Sequence, residues 1–399
     1  MYIMAGRYVM IAVAILAGFT MGNKLVAQQT TPRVYIANSF GDDLSVIDIN
    51  TSRVITKIKL GQHAGDVCAP DDGRSVFASE VSGDNNFLDV IDTATNTVVN
   101  KIALTGRPAE CASTPDGHYV VAPVSDGGGL LICEVKPGAS IPTETGTHDS
   151  GSLNITSWSR FQNPCLGPGG SVTEYGTLFG PGAVDIIDMT QKKIVKVLPL
   201  NGPHDCFESA GNNDALYCEA RVDHSMRRIN LKTMDYDLDV HVTGDPLPFG
   251  VSKDGSRIYT AMMNLHGMEV VDTQSGITRR VVLPPMPLMS SSPCAKLEPT
   301  PVHALGINPD SSEVWLGSMT DSRVYVYDTT ADKILTDPIP VGECPRWISF
   351  SADGKYAAVS DGLPEDVTIV DAKAHKPIAT VPSGGKEPMR MVVVNVPAS

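Results

Sequence analysis

The sequence predicts an all-β fold, a seven-bladed β-propeller of four-stranded antiparallel blades, from one repeated unit, its number of copies and the offset at which the copies begin and end. The unit opens on Gly/Pro, continues as an apolar strand, turns through a Pro-Asp-Gly-like segment and returns as a second apolar strand. A third strand ends in Asp-Thr or a close variant, and a fourth is rich in Val and Ile. Clear copies read GRPAECASTPDGHYVVAPV, GDPLPFGVSKDGSRIYTAM, PTPVHALGINPDSSEVWLGS and GECPRWISFSADGKYAAVS. Third strands such as LSVIDINT, LDVIDTAT, VDIIDMTQ, MEVVDTQS, VYVYDTTA and VTIVDAKA alternate apolar and polar residues, the period of two that strands require.

Third strands fall near residues 44, 87, 183, 225, 268, 323 and 366, which makes seven; HSMRRINLKT near 225 departs furthest from the pattern. First strands begin near residues 63, 107, 204, 246, 303 and 345, only six. The seventh, PMRMVVVNVP, stands at the far end of the chain, whereas PRVYIANS near the start is a second strand. The C-terminal strand is therefore expected to complete the first blade, closing the ring and removing the open sheet edges that invite aggregation.

Composition agrees with many short strands joined by tight turns. Gly 36 and Pro 29 make up about one residue in six, and aromatics only 6%. With 399 residues and 42% hydrophobic residues, the chain can bury a large core. The net charge of −14 argues against nucleic acid or an anionic membrane as the main partner, and suits solubility or docking onto a basic protein.

At the N-terminus Arg7 precedes an apolar run from Tyr8 to Met21, followed after Gly22 by Asn23 and Lys24. Such a run is short for a membrane span and normal for the core of a secretion signal. Residues 1–27 are read as a signal cleaved after Ala27, with Leu25 bulkier than usual at the −3 position, and 28–399 as a single propeller domain.

The repeats, exemplified by RVYIANSFGDDLSVIDINTSRVITKIKLG at 33–61, resemble the YVTN family of β-propeller repeats over nearly all of residues 32–397. That resemblance implies the fold and leaves the function open, because propellers host unrelated tasks on one scaffold.

Function is sought where the repeat breaks. Residues 134–181 interrupt blade three between its second and third strands, and residues 284–301 lie between blades five and six. Strand directions alternate, so both insertions should emerge on one face of the disc, and loops this long are commonly functional. The leading position of the first strand, Pro in Pro108, Pro246, Pro345 and Pro388, is His in His63, His204 and His303, on blades two, four and six. Three imidazoles converging at the channel mouth could hold Zn or Cu; the alternative is three separate hydrogen-bonding groups in a wet channel. Asp66, Arg107, Glu110, Asp205, Phe249, Glu343, Arg346, Trp347 and Arg390 should line the same mouth, as ligand or partner contacts or as structural rim residues.

Eight cysteines suit an exported protein. Candidate disulfides are Cys206–Cys218 across a hairpin, Cys133–Cys165 around the first insertion, and Cys294–Cys344 from the second insertion to a neighbouring loop; Cys68 and Cys111 lie on adjacent first strands. The chain contains no Cys-x-x-Cys-His for covalent haem, no Cys-x-x-Cys, no His-Glu-x-x-His, no P-loop, no dinucleotide fingerprint and no nucleophile elbow.

Size, export signal, seven YVTN-type blades and the missing haem motif together resemble the propeller subunits of exported redox complexes. Foremost are the β-propeller partners in the hydrazine synthases of anaerobic ammonium oxidisers; those of quinohaem amine dehydrogenases fit the same description. The resemblance implies a scaffold or docking subunit in the periplasm or an equivalent lumen such as the anammoxosome. Its partners would be multihaem chains whose haem c groups join nitric oxide and ammonium to give hydrazine. Two other readings stay open: an enzyme with a metal on His63, His204 and His303, and a lactonase-like or small-ligand-binding propeller without metal.

Overall fold

The computed structural model describes residues 30–398, apart from 40, 62, 83–84, 109, 126–129, 136–152, 156–174, 178–181, 201–206, 210–212, 222, 288–291 and 297–299. Seven antiparallel sheets of the expected kind surround one channel. Blade 1 runs outward from Pro388–Pro397 through Thr30–Asn38 and Asp43–Asp48 to Arg53–Lys59. Its inner strand is thus the C-terminal one, zipped to the N-terminal strand from Thr30↔Pro397 to Asn38↔Pro388. The inner strands of blades 2 to 7 begin at His63, Arg107, Phe207, Pro246, Val302 and Pro345.

Each sheet presents apolar residues on both faces, because each blade packs between two others. One apolar cluster fills every junction between neighbours. Tyr35, Leu44 and Val67 join blades 1 and 2, Phe77, Leu88 and Val120 join 2 and 3, and Val34, Ile369 and Val393 join 7 and 1. The remaining four junctions carry equivalent clusters. Outer strands read differently: Arg53–Lys59, Thr97–Ala103 and Asp235–His241 alternate exposed and covered residues, as one-sided strands do.

The recurring acid at the end of the third strand has a local cause. Its carboxylate accepts backbone N–H groups two or three residues on: Asp48 from Thr51, Asp92 from Thr95, Asp188 from Thr190 and Gln191, Asp272 from Gln274 and Ser275, Asp328 from Thr330 and Ala331, and Asp371 from Ala374. In the divergent blade 4 the amide oxygen of Asn230 does the same for Lys232. These Asx turns set the hairpin to the outer strand. At the opposite hairpins Gly73, Gly117, Gly255 and Gly354 all take φ between 66 and 71°, a region glycine enters without strain.

The first insertion is wider than 134–181. The second strand of blade 3 ends at Ser125, opposite Gly182, where the third begins, so the excursion starts at 126. Leu130–Val135 pairs with Leu153–Ile155 and Tyr175–Thr177 in a separate three-stranded sheet rather than extending the blade. Ser125 also stands opposite Arg107, so this excursion leaves the blade beside the leading end of its inner strand. The second insertion departs after Thr278–Val282 and returns at Val302, the corresponding end of blade 6. The proposed signal 1–27 lies outside the described residues, and among those no helix is long and apolar enough to cross a membrane.

Candidate functional site

The inner strands place three groups of side chains along the channel. At its leading end stands His63, whose imidazole is held below its ordinary pKa first by burial and then by the neighbouring Arg107 charge. His303 is buried on blade 6 and donates from Nδ1 to the Arg346 carbonyl oxygen at 2.9 Å. His204 and Asp205 lie outside the described residues. Among the described residues no group of three or more His, Cys, Asp and Glu has a metal-holding arrangement.

Deeper in the channel, Arg390 on the closing strand is a hub. Its guanidinium is ion-paired with Glu110 of blade 3 and lies 5.6 Å from the ring centre of Trp347 on blade 7. It also exerts an attractive field on Asp66 of blade 2. Four blades therefore meet through one cation, at a cation–π distance on one side and a charge-assisted hydrogen bond on the other. Arg346 makes a second pair, Nη1 to Glu387 Oε1 at 2.6 Å, tying blade 7 to the segment that leads into the closing strand.

Asp66 is only 4% exposed. Its backbone N–H donates to Ser79 Oγ at 2.8 Å, and its Oδ2 accepts the Cys111 N–H at 3.1 Å, while Oδ1 has no hydrogen-bond partner. Burial pushes this carboxyl up to about 6, against the opposing pull of Arg390 and of the Cys111 and Val67 amides. Nearby in blade 2, Asp89 is also raised, by burial and then by Glu80, with Lys101 bridging the two carboxylates.

A cavity of about 400 Å³ occupies the channel beyond these residues. Its walls are the C-terminal halves of the inner strands and the turns that follow them, including Asp66, Glu110, Phe249, Trp347, Met391 and Asn395. His63 and His303 are not among its walls. Phe249 is nearly fully buried, in the cluster between blades 4 and 5.

Several described residues of the second insertion are anchored to the blades beside it. His266 donates from Nδ1 to the Pro284 carbonyl oxygen at 2.9 Å and accepts from Ser318 Oγ on Nε2 at 3.0 Å; burial lowers its pKa, which suits this neutral tautomer. Thr320 Oγ1 donates to Met286 Sδ at 2.8 Å. The Cys294–Cys344 disulfide joins the 3₁₀ turn Pro293–Lys296 to the leading end of blade 7, with both sulfurs buried beside Met319.

The Cys206–Cys218 staple is not formed. Cys218 is a free, buried thiol in the apolar junction between blades 3 and 4, and Cys206 lies outside the described residues. The Cys133–Cys165 pairing lies outside the described side chains. Sequence reasoning missed Ser79, on the strand next to Asp66, and Glu387 and His266, whose partners Arg346 and Ser318 lie in distant parts of the chain.

No family profile and no curated protein matches the sequence. Solved structures do match. A chain of hydrazine synthase from Kuenenia stuttgartiensis is 13% identical with a TM-score of 0.59, covering 89% of this chain and 99% of that one. A functionally unknown protein from Desulfotomaculum acetoxidans is 12% identical with a TM-score of 0.63, covering 91% and 99%. A chain of the mitotic checkpoint complex is 11% identical with a TM-score of 0.56, covering 98% and 93%. At such identities the likeness speaks for architecture alone, and on that ground the chain is a seven-bladed β-propeller, similar in fold to a hydrazine synthase chain.

Proposed function

We propose that this chain is a docking subunit of an exported redox complex of the hydrazine synthase type, presenting its insertion-bearing face to haem-carrying partner chains. The observation that carries the reading is the Cys294–Cys344 bond, which ties the Pro293–Lys296 turn of the second insertion to the leading end of blade 7. A disulfide persists in oxidising compartments, which supports export. A turn pinned by a disulfide has less freedom to lose on binding, which suits recognition. Inside the channel the charges of Arg390 and Glu110, and of Arg346 and Glu387, satisfy one another, as a scaffold requires. The whole-length fold match to a hydrazine synthase chain supports the choice of complex.

The test is addition of tagged full-length protein to native extract, followed by size-exclusion chromatography read at haem wavelengths. Co-elution with a c-type haem protein is expected. Replacing 284–301 by a short Gly-Ser loop, together with Cys344→Ser, should abolish co-elution while the variant still unfolds cooperatively. Elution as a haem-free monomer, or unchanged co-elution of the folded loop variant, would refute the reading.

A further inference from the structure

Two cysteines outside the docking face stand at the junction of blades 2 and 3. Cys68 ends the inner strand His63–Cys68, and Cys111 lies in the break between the two short pieces of the blade 3 inner strand, Arg107–Pro108 and Ala112–Ser113. The Cys111 thiol reaches across the junction to within 3.7 Å of the Phe77 carbonyl oxygen, and Phe77 is the register partner of Cys68. From the other side, the Cys111 N–H donates to Asp66, two residues before Cys68. The two residues belong to one apolar cluster, and the nearness of Cys68 adds to burial in raising the Cys111 thiol. Both residues also line the channel cavity.

We propose that Cys68 and Cys111 form an oxidisable pair whose disulfide would bolt blade 2 to blade 3 at the channel wall. The co-reactant is a low-molecular-weight disulfide small enough to enter the cavity. Cys68, the more exposed at 9% against 4% for Cys111, loses its proton and attacks one sulfur of that reagent, releasing one thiolate and leaving a mixed disulfide. Cys111 then loses its proton and attacks Cys68 Sγ, expelling the second thiolate. One S–S bond is made in the protein and one is broken in the oxidant. Two electrons pass to the oxidant, which leaves as two thiols.

The site has a structural purpose. Ladder pairing of the blade 3 inner strand lapses between Pro108, opposite Val124, and Ala112, opposite Val121. A covalent link at 111, next to Ala112, would tie the blade 3 inner strand to the regular strand beside it. The reaction is slow by construction, because burial and the Cys68 contact push the Cys111 thiol well above its ordinary pKa and leave little thiolate. This separates the pair from Cys294 and Cys344, which are already joined.

The test is incubation of the full-length protein with oxidised glutathione, followed by peptide mapping without reduction. A linked peptide containing Cys68 and Cys111 is expected, with loss of two hydrogens from the intact mass and a rise in unfolding temperature. Cys68→Ser and Cys111→Ser should abolish that rise, and Cys218 should stay alkylatable after unfolding. Two alkylatable thiols at 68 and 111 after oxidation, or glutathione retained on Cys68 without closure, would overturn the proposal. The wild-type map decides the matter even if the serine variants fail to fold.

Discussion

Arg390 and Asp66 show how differently two largely buried charged groups can be housed in one channel. Arg390 has Glu110 as counter-ion and Trp347 beneath it, whereas Asp66 keeps one oxygen without a partner. An acid whose native pKa lies above its unfolded value holds its proton more tightly in the fold. Asp66 therefore favours the native state below its ordinary value of 3.8, and that advantage is lost as pH rises towards 6. The difference amounts to about 3 kcal/mol at most. Asp66→Asn keeps an oxygen for the Cys111 amide and cannot ionise. Denaturant unfolding from pH 4 to pH 7 should show stability falling with pH in the wild type and a flatter profile in the variant. A residual slope would come from the other carboxyls that burial raises, among them Asp89 and Asp361. Equal slopes in the two proteins would mean that Asp66 is not buried as described. The gathering of Asp66, Glu110, Trp347 and Arg390 follows from their places on first strands, which position in the repeat reveals. The pairing of Glu110 with Arg390 does not, because nothing local in either segment names a partner two blades away.

The hairpin between third and fourth strands is the element the sequence writes most plainly. Asp or Asn ends the strand because its side-chain oxygen captures the next backbone amides, so a short polar side chain recurs where an aliphatic one would leave those amides to water. Asp328→Ala removes the acceptor for Thr330 and Ala331 and should cost about 1 kcal/mol in thermal or denaturant unfolding, without change in oligomeric state. A neutral result would mean that water replaces the carboxylate at no cost. The same chemistry explains why blade 4, the weakest copy by eye, still forms a regular hairpin through Asn230. Insertions are the opposite case. Residues 126–181 carry no repeat, and the boundary near 134 is hard to read because the apolar run Leu130–Cys133 looks like the continuation of a blade strand while pairing within its own small sheet. Cysteine spacing was equally ambiguous. It suggested both Cys294–Cys344 and Cys206–Cys218, and only the folded chain shows the first pair bonded and Cys218 as a free thiol packed in a blade junction.

Closure of the ring rests on one strand. Pro388–Pro397 supplies the inner edge of blade 1, and its Val394 and Val396 pack towards blade 2 while Met391 and Val393 pack towards blade 7. Removing residues 388–399 should leave Thr30–Asn38 as an open edge with apolar flanks. Calorimetry should then show loss of the single cooperative transition, and size-exclusion should show association; a peptide spanning 386–398 should restore both. A truncated chain that stays monomeric and melts cooperatively would show that the ring closes on a three-stranded first blade. The circular offset that makes this strand decisive is already visible in the order of repeats. The sequence by itself determined the blade count, the hairpin chemistry and the closing strand, since each depends on local periodicity or on counting. Tertiary structure alone decided which charges meet in the channel, which cysteines bond, and that His63 and His303 stand apart from the cavity walls. The reason is physical: turns and strands are specified by contacts within a few residues, whereas channel and junction contacts join segments whose proximity exists only once the ring has closed.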